Sequence, residues 1–117
     1  MLFRSIFDSF LRYLLTQGYD VPAAALERDL TTAWEPSPDV QRLLLAAYDD
    51  DGGAAQVAER LVDLDEGLQE WRYRHVKMVE RTIGAKPGTG GSSGATYLWS
   101  TVTRALFPDL WAIRSEM

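Results

Sequence analysis

The chain has 117 residues, enough for a single domain with one core, and its 46% hydrophobic and 25% charged content is a globular balance, neither disordered nor membrane-like. A net charge of -5 argues against general nucleic-acid binding, which needs a basic face to neutralise phosphates. The absence of cysteine rules out disulfides, a thiolate nucleophile and cysteine-held zinc or iron-sulfur centres, and makes an intracellular, cytoplasmic location the expectation.

In chain order the apolar period is helical almost throughout. Phe3, Ile6, Phe7, Phe10, Leu11, Leu14 and Leu15 recur at steps of three and four, and Gly18 stands where a helix C-terminal cap belongs. Arg4, Asp8 and Arg12 interrupt this stretch and no small-residue cleavage site follows it, so it does not read as a signal peptide. Pro22 opens a second helix through Ala24, Leu26 and Leu30, which "EPSPD" interrupts. There Ser37, Pro38 and Asp39 form an N-cap, a first-turn proline and a first-turn acid, and Val40, Leu43, Leu44 and Ala47 line the third helix up to "DDDGG". A long helix spans about Ala54 to Ile83, and Pro108 stops or bends the helix that starts after a glycine-rich loop. No apolar run is long enough to span a bilayer, and no segment alternates with period two. The expected fold is all-α, a helical bundle forming one domain over residues 1–117.

The long helix carries the only histidine of the chain, His75. Leu61, Leu64, Leu68, Trp71, His75, Met78 and Thr82 follow one another at alternating steps of three and four, which puts His75 on the stripe expected to be buried. Its plain reading is a core histidine satisfied by neighbours. The alternative is a ligand. Trp71 and Arg72 lie one turn before it and Met78 and Val79 one turn after, a setting for a flat apolar group with a cation at its edge. Zinc would need three or four protein ligands, and only carboxylates could join His75. Haem needs a single axial imidazole because the porphyrin supplies four nitrogens, so one histidine on an apolar helix face suits haem far better. Arg72, Arg74, Lys77 and Arg81 are then candidates for the haem propionates, with Arg72 best placed, although a solvated charged face is the plain reading of most of them.

The loop "GAKPGTGGSSGATYLW" holds five of the nine glycines within eleven residues. It is not a phosphate-binding P-loop, because Thr89 rather than lysine follows Gly88. It is not a dinucleotide fingerprint either, because Ser93 stands where the third glycine belongs. Its composition is that of a flexible linker. Its hydroxyls at Thr89, Ser92 and Ser93, with their backbone amides, could equally close over a carboxylate or ammonium group.

Taken together, "WRYRHVKMVERTIGAKPGTGGSSGATYL" resembles the C-terminal half of the tryptophan 2,3-dioxygenase family, in which an arginine-flanked histidine precedes the threonine of a "GTGGS-G" loop by fourteen residues, the separation of His75 and Thr89. The likeness extends upstream through "FDSFLRYLLTQGYDVP" and the "RDL-TAW" region and downstream through "FPDLWAIR". The resemblance implies an all-α haem b protein. That family inserts both atoms of O2 across the C2–C3 bond of the L-tryptophan indole to give N-formylkynurenine.

His75 would be the axial iron ligand, with Trp71, Arg72 and Val79 around the haem. Thr89, Gly88, Gly90, Gly91 and Ser92 would form a lid over the amino-acid end of the substrate. The family's distal histidine, indole-packing aromatics and carboxylate-binding arginine belong to an N-terminal half whose motifs are not found here, so no catalytic residue is assignable. The loop also reads Lys86-Pro87 where the family commonly has two basic residues. The expectation is a haem-dependent oxidoreductase acting on L-tryptophan or a related aromatic amino acid with O2. Its distal pocket would come from another copy in a homo-oligomer or from an N-terminal-half partner chain. The alternatives are a minimal haem protein with a peroxidase-like, hydroxylase-like or gas-sensing role, and a haem-free helical interaction protein.

Overall fold

The computed structural model describes residues 2–83 and 99–117, with side chains from residue 6 onward. All regular structure among these residues is helical, and no strand occurs, so the all-α expectation holds. The helices are α1 (Leu2–Thr16), α2 (Ala23–Leu26), α3 (Pro38–Asp50), α4 (Gly53–Ile83) and α5 (Pro108–Ala112), with a 3-10 turn at Ile113–Glu116. Residues 99–102 are also helical. Among the described residues no helix is long and apolar enough to cross a membrane.

Local chemistry sets most of the boundaries. Past Thr16, Gly18 takes φ +92°, a left-handed conformation that glycine adopts without steric cost. The Tyr19 amide then donates to the Leu14 carbonyl at 3.1 Å and the Gly18 amide to the Leu15 carbonyl at 3.2 Å, the double closure that satisfies the last carbonyls of a helix. Helix α2 is shorter than the sequence predicts. The Asp29 carboxylate accepts from the Thr31 amide at 2.9 Å and from its hydroxyl at 2.7 Å, and this side-chain turn competes with helical continuation to Leu30. Ser37 caps α3 by accepting from the Val40 amide at 3.3 Å, with Pro38 in the first turn, as expected. Pro108 opens α5 rather than bending a longer helix, since at the first helical position its missing amide costs nothing.

The chain divides into two compact units, residues 1–62 with 106–117 and residues 63–105, and the boundary falls inside α4. The first unit holds the main core. Phe7, Phe10, Leu11 and Leu14 of α1, Val40, Leu43, Leu44 and Ala47 of α3, and Phe107, Leu110 and Ile113 near the C-terminus are all buried there. Phe7 stacks on Phe107 at 5.8 Å between centroids and meets Trp34 edge-on at 4.8 Å, and each such fully buried aromatic contributes about 1.5–3 kcal/mol.

One buried carboxylate organises this unit. Asp109, wholly inaccessible, accepts from Trp34 Nε1 at 2.6 Å, Gln41 Nε2 at 2.7 Å and the Ser37 amide at 3.1 Å. It therefore fixes residues 34–37 and the start of α3 against α5. Near the surface, Glu59 accepts from the Tyr48 hydroxyl at 2.7 Å and from Arg114 at 2.6 Å. Burial alone would raise the Glu59 carboxyl, but these hydrogen bonds together with the charges of Arg114 and Arg60 outweigh it and hold the group below its ordinary value.

In the second unit α4 turns a different face inward from the one that hydrophobicity suggests. Asp65 and Val76 are buried, Gln69 and Arg72 half-buried, and these residues alternate at steps of four and three. The stripe predicted to be buried lies one residue away, and much of it faces outward: Trp71 is 61% and Met78 55% exposed, Leu64 is exposed, and His75 is only half-buried. Within the second unit the inward seam is polar from Asp65 to Arg72, so hydrophobicity alone picks the wrong neighbour.

Candidate functional site

The site is built on the second unit, where residues 99–104 are held to α4 through side chains. Arg72 reaches from the half-buried seam and donates through Nη1 to the carbonyls of Thr101 at 3.2 Å and Arg104 at 2.7 Å. A guanidinium on the carbonyls that end a short helix satisfies acceptors left without intrahelical partners. One turn further along, Trp99 Nε1 donates to Glu80 at 2.9 Å, its ring meets Tyr73 edge-on at 5.6 Å, and Lys77 lies over its face.

Beside the Arg72 clamp lies a cavity of about 280 Å³ lined by Trp71, Arg72, His75, Val76, Thr101 and Arg104. The Trp71 indole and the His75 imidazole, one turn apart on α4, stack nearly parallel, with centroids 5.1 Å apart and planes 4° from each other. That stack fixes the imidazole plane by contact area. Among the described residues neither ring nitrogen of His75 makes a hydrogen bond. The satisfied core histidine of the plain reading is therefore not what the fold presents; a half-buried imidazole with an available lone pair is. Also among the described residues, no carboxylate lines the cavity and no group of three or more His, Cys, Asp or Glu side chains could hold a metal ion without help.

The chemistry of this donor set is compatible with a haem. One imidazole, a flat aromatic wall, the buried Val76 and two guanidinium-bearing residues are what an axially bound, anionic, mostly apolar macrocycle requires. Cavities that enclose drug-sized ligands run to about 300–1,000 Å³, so this one receives only part of such a group. Trp71, which lines it, is largely exposed, and Leu64 and Met78 of the same helical stripe are exposed too.

Of the residues singled out from sequence, the structure brings His75, Trp71 and Arg72 to one cavity. Val79, half-buried, is not among the lining residues, and Val76 takes the apolar position instead. Arg72 is near His75 as expected, but its Nη1 is engaged by the two carbonyls. Thr101 and Arg104 join the lining without having been singled out for it, because only the fold returns residues about thirty positions downstream to the histidine. Thr89, Gly88, Gly90, Gly91 and Ser92 lie outside the described residues.

A family model described as tryptophan 2,3-dioxygenase matches residues 43–117 of the chain. Over 114 residues the chain is 62% identical to the tryptophan 2,3-dioxygenase of Anaeromyxobacter dehalogenans (strain 2CP-C), covering 97% of this chain and 42% of that protein. Against the tryptophan 2,3-dioxygenase of Herpetosiphon aurantiacus it is 56% identical over 97% of this chain and 43% of the relative. Against that of Arthrobacter sp. (strain FB24) it is 46% identical over 97% and 41%. The chain spans about two fifths of the length of these relatives.

Proposed function

The chain belongs to the tryptophan 2,3-dioxygenase family, and from that premise we propose that it is the proximal, haem-holding part of an oxidoreductase acting on L-tryptophan or a related indole with O2. All 117 residues are read as one all-α domain. The observation that carries the reading is His75, half-buried and stacked on Trp71, which among the described residues has no hydrogen-bond partner and shares its cavity with guanidinium groups and no carboxylate.

In this reading His75 would hold the iron of a haem b through one ring nitrogen. Trp71 keeps the imidazole plane fixed, and Val76 supplies apolar contact at the cavity wall. Arg72 acts on the wall, not on the ligand, by tying residues 101 and 104 to α4. When bound, the haem supplies the iron chemistry that activates O2 for insertion across the indole C2–C3 bond.

Thr89 contacts the amino-acid end of the substrate through its hydroxyl and backbone. Gly88, Gly90, Gly91 and Ser92 let the loop approach closely and exclude water; the fourteen-residue separation of His75 and Thr89 supports this assignment. The distal wall, including the group that pairs with the substrate carboxylate, is contributed by residues outside these 117, in keeping with the share of the relatives' length that the chain covers. The outward-facing Leu64, Trp71 and Met78 favour assembly of the complete pocket from more than this chain.

The test is haemin reconstitution followed by turnover. The wild-type chain should develop a Soret band that His75→Ala abolishes or shifts. Ferrous protein supplied with the N-terminal half of a relative, O2 and L-tryptophan should form N-formylkynurenine. An identical spectrum from His75→Ala removes the axial assignment, and absence of product from a fully haem-loaded, reconstituted assembly removes the dioxygenase reading.

A further inference from the structure

We propose that Arg104 is the residue that pairs with a propionate carboxylate at the edge of the haem held by His75. This rests on the reading of His75 as the axial ligand. Four cations near His75 in sequence compete for the role, and each is at least partly engaged elsewhere or lies off the cavity. Arg72 has its Nη1 on the Thr101 and Arg104 carbonyls. Lys77 lies 3.8 Å from Glu80 and over the Trp99 ring. Arg74 and Arg81 line a separate groove with Tyr73, Met78 and Glu80, and neither borders the His75 cavity.

Arg104 differs from all four. Its side chain is exposed and lines the His75 cavity, and among the described residues its guanidinium has no hydrogen bond and no ion pair. Its backbone is held at both polar groups, the carbonyl accepting from Arg72 at 2.7 Å and the amide donating to Thr101 at 3.2 Å. The planar guanidinium matches a carboxylate as a two-pronged pair, and the held backbone keeps its base beside the cavity. With Arg72 as its cationic neighbour and no acid among the described lining residues, the cavity favours an anion electrostatically.

The same chemistry would suit the carboxylate of an amino-acid substrate, but position favours the macrocycle. Residues that line a cavity together with the axial imidazole lie on the imidazole side of the metal, where they meet the substituents at the macrocycle edge. In the same reading, a substrate reacting at the open side of the iron would lie across the macrocycle from these residues.

The experiment titrates the full chain with haemin and with haemin dimethyl ester, whose propionates are neutral, following the Soret band. Wild type should bind haemin tighter than the ester by about tenfold or more, as a charge-assisted, two-pronged pair implies. Arg104→Gln should lose that preference and its salt dependence, and Arg104→Lys should keep part of it. Because Arg104 anchors to Arg72 through its carbonyl, these substitutions leave the clamp in place, and an unchanged circular dichroism spectrum confirms folding. An undiminished preference in Arg104→Gln overturns the proposal, as does a loss of L-tryptophan binding at unchanged haemin affinity, which would assign the carboxylate to the substrate. Failure of the axial reading is separate: His75→Ala would then titrate like wild type whatever Arg104 does.

Discussion

Replacing Arg72 by alanine tests how the cavity wall is held. The side chain makes two charge-assisted hydrogen bonds from one nitrogen, a half-buried one of 3.2 Å to Thr101 and an exposed one of 2.7 Å to Arg104. Bonds to a charged group contribute about 1.5–3 kcal/mol each when well shielded. Here the pair shares a donor and one member faces water, so the total is about 1–2 kcal/mol, a factor of about 5–30 in the opening of residues 99–104. Native-state amide exchange reads this directly. The Arg104 amide, which donates to Thr101 at 3.2 Å, and its neighbours should exchange faster by that factor in Arg72→Ala. Haemin affinity should fall by a similar factor with the Soret shape preserved, since His75 remains. A change in exchange of less than about twofold would refute the clamp.

Three further outcomes follow from the packing and the proposed lid. Asp109→Asn should lower stability by about 2–4 kcal/mol in denaturant unfolding, because one amide oxygen cannot serve Trp34, Gln41 and Ser37 at once and its NH2 must face a donor; a loss below about 1 kcal/mol contradicts the hub. Glu59 has a folded-state pKa below its ordinary 4.5, so its stabilisation is present above that value and is lost as pH falls through the lowered one. The stability gap between wild type and Glu59→Gln should therefore close under acid, and a gap independent of pH would show that the charge is irrelevant. Thr89→Ala should weaken L-tryptophan binding in isothermal titration without changing haemin affinity, whereas equal loss of both would make the loop structural only.

Much of the fold was legible because the elements are bounded by local chemistry. Gly18, Ser37 and Pro38 act within a few residues of the boundaries they set, so the sequence states them directly. The C-terminal limit of α2 was less so, since it depends on the Asp29 carboxylate choosing its own downstream amide over solvent. Hydrophobicity places the inward face of α4 one residue away from where it lies, because Asp65, Gln69 and Arg72 turn inward while Trp71 and Met78 turn out. That inversion is informative about the site. Large apolar side chains on the outer face beside His75 are what a surface awaiting a cofactor or another chain would present. His75, Trp71 and Arg72 could be grouped from helical spacing alone, whereas Thr101 and Arg104 could not, because their proximity to His75 exists only through tertiary contact.

The central claim is that His75 is bonded to the haem iron, and the chain's single histidine makes that claim open to one unambiguous measurement. Resonance Raman spectra of the ferrous, haemin-reconstituted chain should contain an iron-histidine stretching band that shifts to lower frequency when the protein is grown with 15N-histidine and disappears in His75→Ala. A band that ignores the isotope, or a spectrum with no iron-histidine stretch in fully loaded wild-type protein, would contradict the account.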